Sequence, residues 1–176
     1  GAPLNLEQGH PGQEPGASAD IGNTSIQALA AGSGGGIYAG SFGMGIFRSA
    51  DRGGSWTSAN QGVTDPFVLC LTTGKDGAIY AGTFRGGVFR SRDGGKIWQP
   101  VNKGLKRLEI KALMMDAKGL YAGTGDGVYL LNAAQDQWKV VSTGLDEILV
   151  HALARTDDGT LYAGTSGKGV HSYKER

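Results

Sequence analysis

Residues that commonly carry out catalysis are few in this sequence, and their spacing does not gather them into a recognisable active site. The single cysteine, Cys70, excludes an internal disulfide framework and a zinc site built on several thiolates. The three histidines, His10, His151 and His171, are scattered and have no carboxylate companions at metal-ligand spacing. We therefore expect no catalytic residues, no bound metal ion and no other cofactor.

Paired carboxylates are another common source of chemistry, because two of them facing each other across a cleft can hydrolyse a glycosidic bond. Four acidic residues fall in segments that we interpret as loops at one end of the molecule: Asp65, Asp126, Asp146 and Glu147. Their spacing does not single out one pair. The sequence therefore favours a protein without catalytic activity, and a glycoside hydrolase is the enzymatic alternative.

The composition excludes several other classes of function. The chain of 176 residues has 17 basic and 16 acidic side chains, and its formal charge of +1 gives no electrostatic attraction to nucleic acid or to an anionic membrane. The apolar runs are too short to cross a bilayer. The unusual feature is the content of 32 glycines, whose positions are periodic.

A repeat of 41 or 42 residues organises the chain. Each unit contains an apolar–Tyr–Ala–Gly–Ser/Thr segment, with a short apolar segment before it, another after it and, in the first three units, a tryptophan further on. The tyrosines and tryptophans that mark the units are Tyr38, Tyr80, Tyr121, Tyr162, Trp56, Trp98 and Trp138. Four short β-type runs, called strands A to D, separated by turn residues and repeated with this period, are typical of a β-propeller blade.

We predict an all-β protein, a β-propeller of four-stranded antiparallel blades at about residues 26–67, 68–109, 110–149 and 150–176. The fourth unit stops after its third strand. Residues 1–24 are interpreted either as a linker or as a ring-closing outer strand for that unit, since residues 3–9 loosely match 56–62. Three arrangements stay open: a closed ring of four blades, a segment of a larger propeller, and a ring completed by a second chain.

A motif of the form S-x-D-x-G-x-x-W follows the third strand of the first two units. Its residues are Ser49, Asp51, Gly53 and Trp56 in unit one, and Ser91, Asp93, Gly95 and Trp98 in unit two. An aspartate that accepts backbone N–H groups and a glycine in the left-handed region are suited to a hairpin turn. The tryptophan that follows is suited to a buried anchor. We therefore assign these eight residues a structural role.

This motif resembles the Asp-box, or BNR, repeat of sialidases, sortilin-type receptors, xyloglucanases and photosystem II assembly factors. The resemblance covers about residues 26–176, although unit three has a shorter turn before Trp138. It implies a propeller whose Asp-box turns lie on the face opposite the functional site. Because the resembling families are mostly secreted, periplasmic or lumenal, it also implies an extracytoplasmic location.

The B–C loops and the D–A connections of a propeller emerge together on one face, and loops on a rigid scaffold commonly carry binding sites. Aromatic, methionine and arginine side chains there are typical contact anchors. The candidate partner-binding residues are Phe42, Met44, Phe84, Arg85, Asp126 and Lys168 from B–C loops, and Phe67 and Arg107 from D–A connections. In the alternative interpretation, Phe42 and Phe84 cap the blade core.

These observations predict a non-catalytic binding or scaffold propeller that recognises a protein or peptide partner, without nucleic-acid binding or membrane insertion. The alternative is a carbohydrate-active propeller, either a glycan-binding module or a glycoside hydrolase of the sialidase or xyloglucanase type. Arg48 and Arg90 share one position of strand C. With Arg52 and Arg92 they form either a basic strip for a partner or salt bridges to the Asp-box turns.

Overall fold

The computed structural model describes residues 18–174, and these residues form four antiparallel β-sheets. The first sheet contains β1 (Ile26–Ala31), β2 (Ile37–Ser41), β3 (Ile46–Ser49) and β4 (Thr57–Ser58), with a three-residue 3₁₀ turn at Ser33–Gly35. The second contains β5 (Val68–Thr73), β6 (Ile79–Thr83), β7 (Val88–Ser91) and β8 (Gln99–Pro100). The third contains β9 (Ile110–Met115), β10 (Leu120–Thr124), β11 (Gly127–Asn132) and β12 (Gln137–Val140). The fourth contains β13 (Val150–Arg155), β14 (Thr160–Thr165) and β15 (Val170–Lys174).

The strands follow chain order within every sheet, so each sheet is a meander and corresponds to one sequence repeat. The predicted all-β propeller architecture is confirmed. The sheets are referred to below as blades one to four. The suggested closing strand at residues 3–9 lies outside the described residues. Within residues 18–174, no helix is long and apolar enough to cross a membrane.

The blades stack in sequence through their first strands, since β1 contacts β5, β5 contacts β9, and β9 contacts β13. Strands β6 and β10 are buried along their whole length, because a neighbouring blade covers each of their faces. Three of the four hydrophobic clusters among the described residues consequently lie between neighbouring blades, and the fourth lies on blade one. One cluster joins Tyr38 and Ile46 of blade one to Ile79, Phe89 and Trp98 of blade two.

The two Asp-box turns have the same hydrogen-bond network. Asp51 accepts bonds from the Ser49 hydroxyl at 2.8 Å and from the Ser55 amide at 2.8 Å. In blade two, Asp93 accepts bonds from the Ser91 hydroxyl at 2.8 Å and from the Ile97 amide at 3.0 Å. The serine of each motif also accepts a bond from the motif glycine, which has a positive φ in both turns. The network gives these polar residues a local structural role.

The tryptophans join neighbouring blades. The indole N–H of Trp98 donates to the carbonyl of Ala59 at 2.8 Å, and that of Trp138 donates to the carbonyl of Val101 at 2.6 Å. Each acceptor belongs to the preceding blade. Both indoles are almost fully buried, so each tryptophan contributes apolar burial and satisfies its polar N–H at the same seam.

In the third blade, the turn that corresponds to the Asp-box contains Asp136, which forms an ion pair with blade two. Arg90 of β7 donates two hydrogen bonds to the Asp136 carboxylate, at 2.5 and 3.0 Å. The Arg90 guanidinium holds the pKa of Asp136 below its usual range. Arg90 therefore stabilises the contact between blades two and three through a residue outside both Asp-box motifs.

Candidate functional site

Chain connectivity places the candidate loops at one end of the molecule. In an antiparallel meander the A–B and C–D turns lie at one end, and the B–C loops and D–A connections lie at the other. The B–C loop of blade one is joined to the next connection by a β-bridge between Phe42 and Phe67. The Phe84 amide donates to the Phe67 carbonyl at 2.9 Å, which links the following loop to the same segment. We call this end the loop face.

An aromatic cluster lies above blades one and two on the loop face. The rings of Phe42 and Phe67 meet edge to face, with 4.8 Å between their centroids. Phe42 is 48% exposed and Met44 is 50% exposed. The Met44 sulfur accepts a hydrogen bond from the Thr24 hydroxyl at 3.4 Å. The cluster therefore presents apolar surface to solvent.

A pocket of about 520 Å³ lies between blades two and three on the same face. Three of the sequence-predicted residues line it, namely Phe84, Arg85 and Arg107. The remaining lining residues are Leu108, Glu109, Gly125, Glu147 and Leu149. The structure thus brings together side chains from two B–C loops and two D–A connections. We call this the Phe84 pocket.

Two cationic groups lie near the Phe84 ring. The Arg85 guanidinium carbon lies 5.2 Å from the Phe84 ring centroid, and Lys111 Nζ lies 5.6 Å from it. A cation at this distance is attracted to the electron-rich face of the ring. Arg107 pairs with Glu147 at 3.6 Å, and both side chains remain largely exposed.

Asp65 positions the loop that carries two of these residues. Its carboxylate is 7% exposed and accepts hydrogen bonds from the amides of Arg85 and Gly86, at 2.5 and 2.9 Å. It also accepts a bond from the Phe67 amide at 3.1 Å. Sequence analysis identified Asp65 only as a carboxylate of uncertain role. Its place two residues before Phe67 was the available signal that it forms an Asx-type turn.

Asp126 has a comparable role, but it lies in the B–C loop of blade three, whereas Asp65 lies in a D–A connection. Asp126 is 6% exposed and accepts hydrogen bonds from the Glu147 amide and the Tyr129 hydroxyl, both at 3.0 Å. Lys106 pairs with it at 3.4 Å. The Glu147 amide is the main cause of the lowered pKa of Asp126. The carboxylate is therefore engaged in holding the loop face together.

The remaining sequence candidates lie apart from these clusters. Lys168 is exposed in the B–C loop of blade four, and its carbonyl lies 3.1 Å from His171 Nε2. Asp146 is exposed, unlike Asp126. Within the described chain, no group of three or more His, Cys, Asp or Glu residues is placed to bind a metal ion.

Cys70 lies at the seam between blades two and three. Its Sγ is 3.6 Å from the Ile110 carbonyl oxygen. Burial raises the pKa of the Cys70 thiol to about 12. Because the thiolate is the reactive form of cysteine, this side chain is a packing residue at neutral pH.

A larger cleft, of about 810 Å³, lies at the opposite end, among the A–B turns of blades two and three and the outer strands of blade three. It is lined mainly by apolar groups, including Met115, Leu130 and Val141, with Lys75 and Asp76 among its polar residues. Sequence analysis did not predict this cleft, because its walls come from segments that are far apart in the repeat.

Comparison with known proteins identifies a fold but no close relative. No protein-family model and no curated protein matches the sequence. Among solved structures, the extracellular domain of a hybrid two-component system from B. thetaiotaomicron superposes with a TM-score of 0.77 at 19% identity. That match covers 93% of this chain and 22% of the other. The computationally designed protein Ika4 matches with a TM-score of 0.68 at 18% identity, covering 100% of this chain and 99% of the other.

A third solved structure contains a bound peptide. YCF48 bound to D1 peptide matches with a TM-score of 0.59 at 18% identity, covering 85% of this chain and 50% of that one. The present chain thus spans about a fifth of the sensor domain and half of YCF48. Together with the two Asp-box networks, these likenesses show that the chain has the fold of the Asp-box β-propellers.

Proposed function

We propose that this protein is a non-catalytic binding propeller, which recognises a protein or peptide through the loop face. The observation that carries the proposal is the Phe84 pocket, where four separate loop segments present an aromatic ring and two arginines to solvent. The loops are held by hydrogen bonds from backbone amides to the buried residues Asp65 and Asp126. A preformed surface of this kind reduces the entropy that is lost on binding.

The chemistry of the pocket fits a peptide with an apolar side chain next to an acidic group. The apolar side chain would pack against Phe84 and Leu108, and the acidic group would meet Arg85. Arginine is suited to this role because its planar guanidinium can bind a carboxylate through two hydrogen bonds. The peptide seen on YCF48 supports this class of partner.

Carbohydrate binding is the second candidate. It is favoured by one observation, the presence of an accessible aromatic ring beside two carboxylates, Glu109 and Glu147, in the Phe84 pocket. Sugar rings pack against aromatic faces, and carboxylates accept bonds from sugar hydroxyls. A glycoside hydrolase would in addition need two carboxylates at a fixed separation across the substrate.

We also propose an extracytoplasmic location. The support is the likeness to a bacterial extracellular sensor domain. The two proposals agree with each other, since an extracellular binding domain needs an exposed recognition surface and no cofactor.

The test uses a phage-displayed library of random peptides and an array of soluble oligosaccharides as probes. We expect peptides to be enriched and their affinity to fall more than tenfold in a variant carrying Phe42→Ala, Phe84→Ala and Arg85→Ala. The thermal midpoint of that variant should stay close to the original, because these side chains are at least partly exposed. Val140→Ala, at an exposed position of β12 that does not line the Phe84 pocket, is the matched control.

Three results would contradict the proposal: no peptide enrichment, unchanged affinity in the triple variant, or a collapse of its stability. Saturable binding to an oligosaccharide that the triple variant loses would favour the carbohydrate alternative.

A further inference from the structure

The three seams between described blades share one close contact. A glycine of strand B in each blade lies against a β-branched residue of strand A in the next blade. A Cβ built on Gly40 would lie 2.6 Å from Val68, one on Gly82 would lie 2.6 Å from Ile110, and one on Gly123 would lie 2.9 Å from Val150. Contacts below 3.0 Å leave no space for a side chain, so each glycine allows the following blade to pack closely against it.

The equivalent glycine of blade four, Gly164, has no such contact with another blade among the described residues. A Cβ built on Gly164 would meet only Ala152 of its own blade, at 3.5 Å, among residues 18–174. The surrounding residues are exposed in the same way. Val170 is 72% exposed, whereas Val88 and Val128 at the same repeat position are fully buried. Tyr162 is 37% exposed, and its counterparts are buried.

Blade one carries the complementary surface. Ile26 occupies the repeat position of Val68, Ile110 and Val150. Leu29 is 66% exposed. Its counterpart Leu71, by contrast, packs against the preceding blade, because its Cδ1 lies 3.3 Å from a Cβ built on Gly40. Leu29 therefore has the position of a seam residue that no preceding blade covers among residues 18–174.

We propose that two copies of this chain form one ring, in which blade four of each copy packs against blade one of the other. Gly164 would then receive Ile26 of the second copy, and Leu29 and Val170 would be buried at the new seam. The second copy is the favoured occupant because its blade one repeats the residue pattern that fills the three existing seams. Two copies give eight blades, within the usual range of four to eight, whereas three copies would exceed it.

Each new seam joins blade four of one copy to blade one of the other, and a twofold rotation relates the two seams, as in an isologous dimer. Exposed apolar residues on both faces agree with this assembly, since extended apolar patches commonly mark interaction surfaces. The inference goes beyond the proposed binding function. The Phe84 pocket lies between blades two and three of one chain, so either proposal can fail without the other.

The test is the mass of the 176-residue chain in solution, measured by light scattering after size exclusion. We expect twice the chain mass of 18.2 kDa. Gly164→Val should return the mass to that of a single chain, because the added side chain occupies the space that Ile26 of the second copy would take. The free chain should tolerate this substitution, since the Cβ meets its neighbour at an ordinary contact distance.

Leu29→Glu is the second variant and should also give single chains, by placing a charge at the seam. Val140→Glu is the control, because Val140 is 53% exposed on β12 outside the seam, and it should leave the mass at two chains. Circular dichroism melting establishes that each variant is folded, and if Gly164→Val does not fold, Leu29→Glu decides. A single-chain mass for the unsubstituted protein would overturn the proposal. A two-chain mass for a folded Gly164→Val variant or for Leu29→Glu would overturn it as well.

Discussion

The two ends of this propeller differ in how closely they follow the sequence repeat. At the end with the C–D turns, blades one and two make the same serine–aspartate bonds at nearly equal distances. At the loop face, every B–C loop has a different sequence, from Phe42-Gly43-Met44 to Ser166-Gly167-Lys168. The repeated end stabilises the blade, and the exposed loop tips at the other end differ from blade to blade.

The loop face nevertheless keeps a repeated base beneath its variable tips. A serine or threonine hydroxyl at the end of strand B donates to a glycine carbonyl across each loop, at 2.8 to 3.0 Å. The residues that do this are Ser41, Thr83, Thr124 and Thr165. The division between stability and recognition therefore lies within the loops, a few residues from their ends.

The largest effect is expected from Trp98→Ala. This substitution removes a fully buried indole and its bond to Ala59, and core truncations of this size cost about 3–5 kcal/mol. Phe42→Ala, at the loop face, should change the free energy of unfolding by less than about 1 kcal/mol. Urea denaturation of both variants measures the two free energies of unfolding. Equal losses of free energy would contradict the difference in structural role that we assign to the two ends.

A smaller, pH-dependent effect is expected from Asp51→Asn. Hydrogen bonds from Ser55 and then from Ser49 lower the pKa of Asp51 to about 2 in the folded chain. Because the folded pKa lies below the unfolded value of about 4, the ionised carboxylate stabilises the fold above that pH. This contribution is lost as the pH falls towards 2.

Thermal midpoints recorded from about pH 5 to about pH 2 should therefore fall less steeply for Asp51→Asn than for the unsubstituted chain. Asp146→Asn, at an exposed position on the loop face, is the control and should leave the profile unchanged. Parallel profiles for Asp51→Asn and the unsubstituted chain would show that the turn network does not contribute to stability.

The smallest effect on stability is expected from Arg107→Ala. Its ion pair with Glu147 spans 3.6 Å between two exposed side chains, and such pairs contribute about 0–1 kcal/mol. Affinity for a selected peptide should fall at least severalfold, because Arg107 lines the Phe84 pocket. A variant that lost stability and kept its affinity would reverse the roles that we assign to the two ends.

The sequence predicts the strands well because each is marked by the same residues at a fixed period. Val88 and Phe89 follow Gly87 in the pattern that Ile46 and Phe47 establish, and both pairs form third strands of blades. The Phe84 pocket was only partly predictable. Phe84, Arg85 and Arg107 stand out as aromatic or charged residues in predicted loops, but their meeting in one pocket depends on how two blades are placed.

Two kinds of residue were beyond the reach of the pattern. Asp65 and Asp126 are acidic loop residues in the sequence, and their bonds to amides 21 residues away in the chain depend on the three-dimensional placement of the loops. The pair of Arg90 and Asp136 joins residues from different repeats. Of the two sequence interpretations of Arg90, salt bridging is closer, although its partner is a residue of the shorter third turn.

The placement of the core between blades has a consequence for the order of folding. Ile46 and Tyr38 of blade one belong to a cluster completed by Trp98 of blade two, so these two side chains are not fully covered until the second blade has been synthesised. During translation, each interface between blades would form only after the next blade has been synthesised. The stability of the chain would therefore increase with each interface that forms. If translation paused between Ile46 and Trp98, the nascent chain would expose apolar surface of blade one to solvent. Binding of a chaperone to this surface would be most useful at that stage.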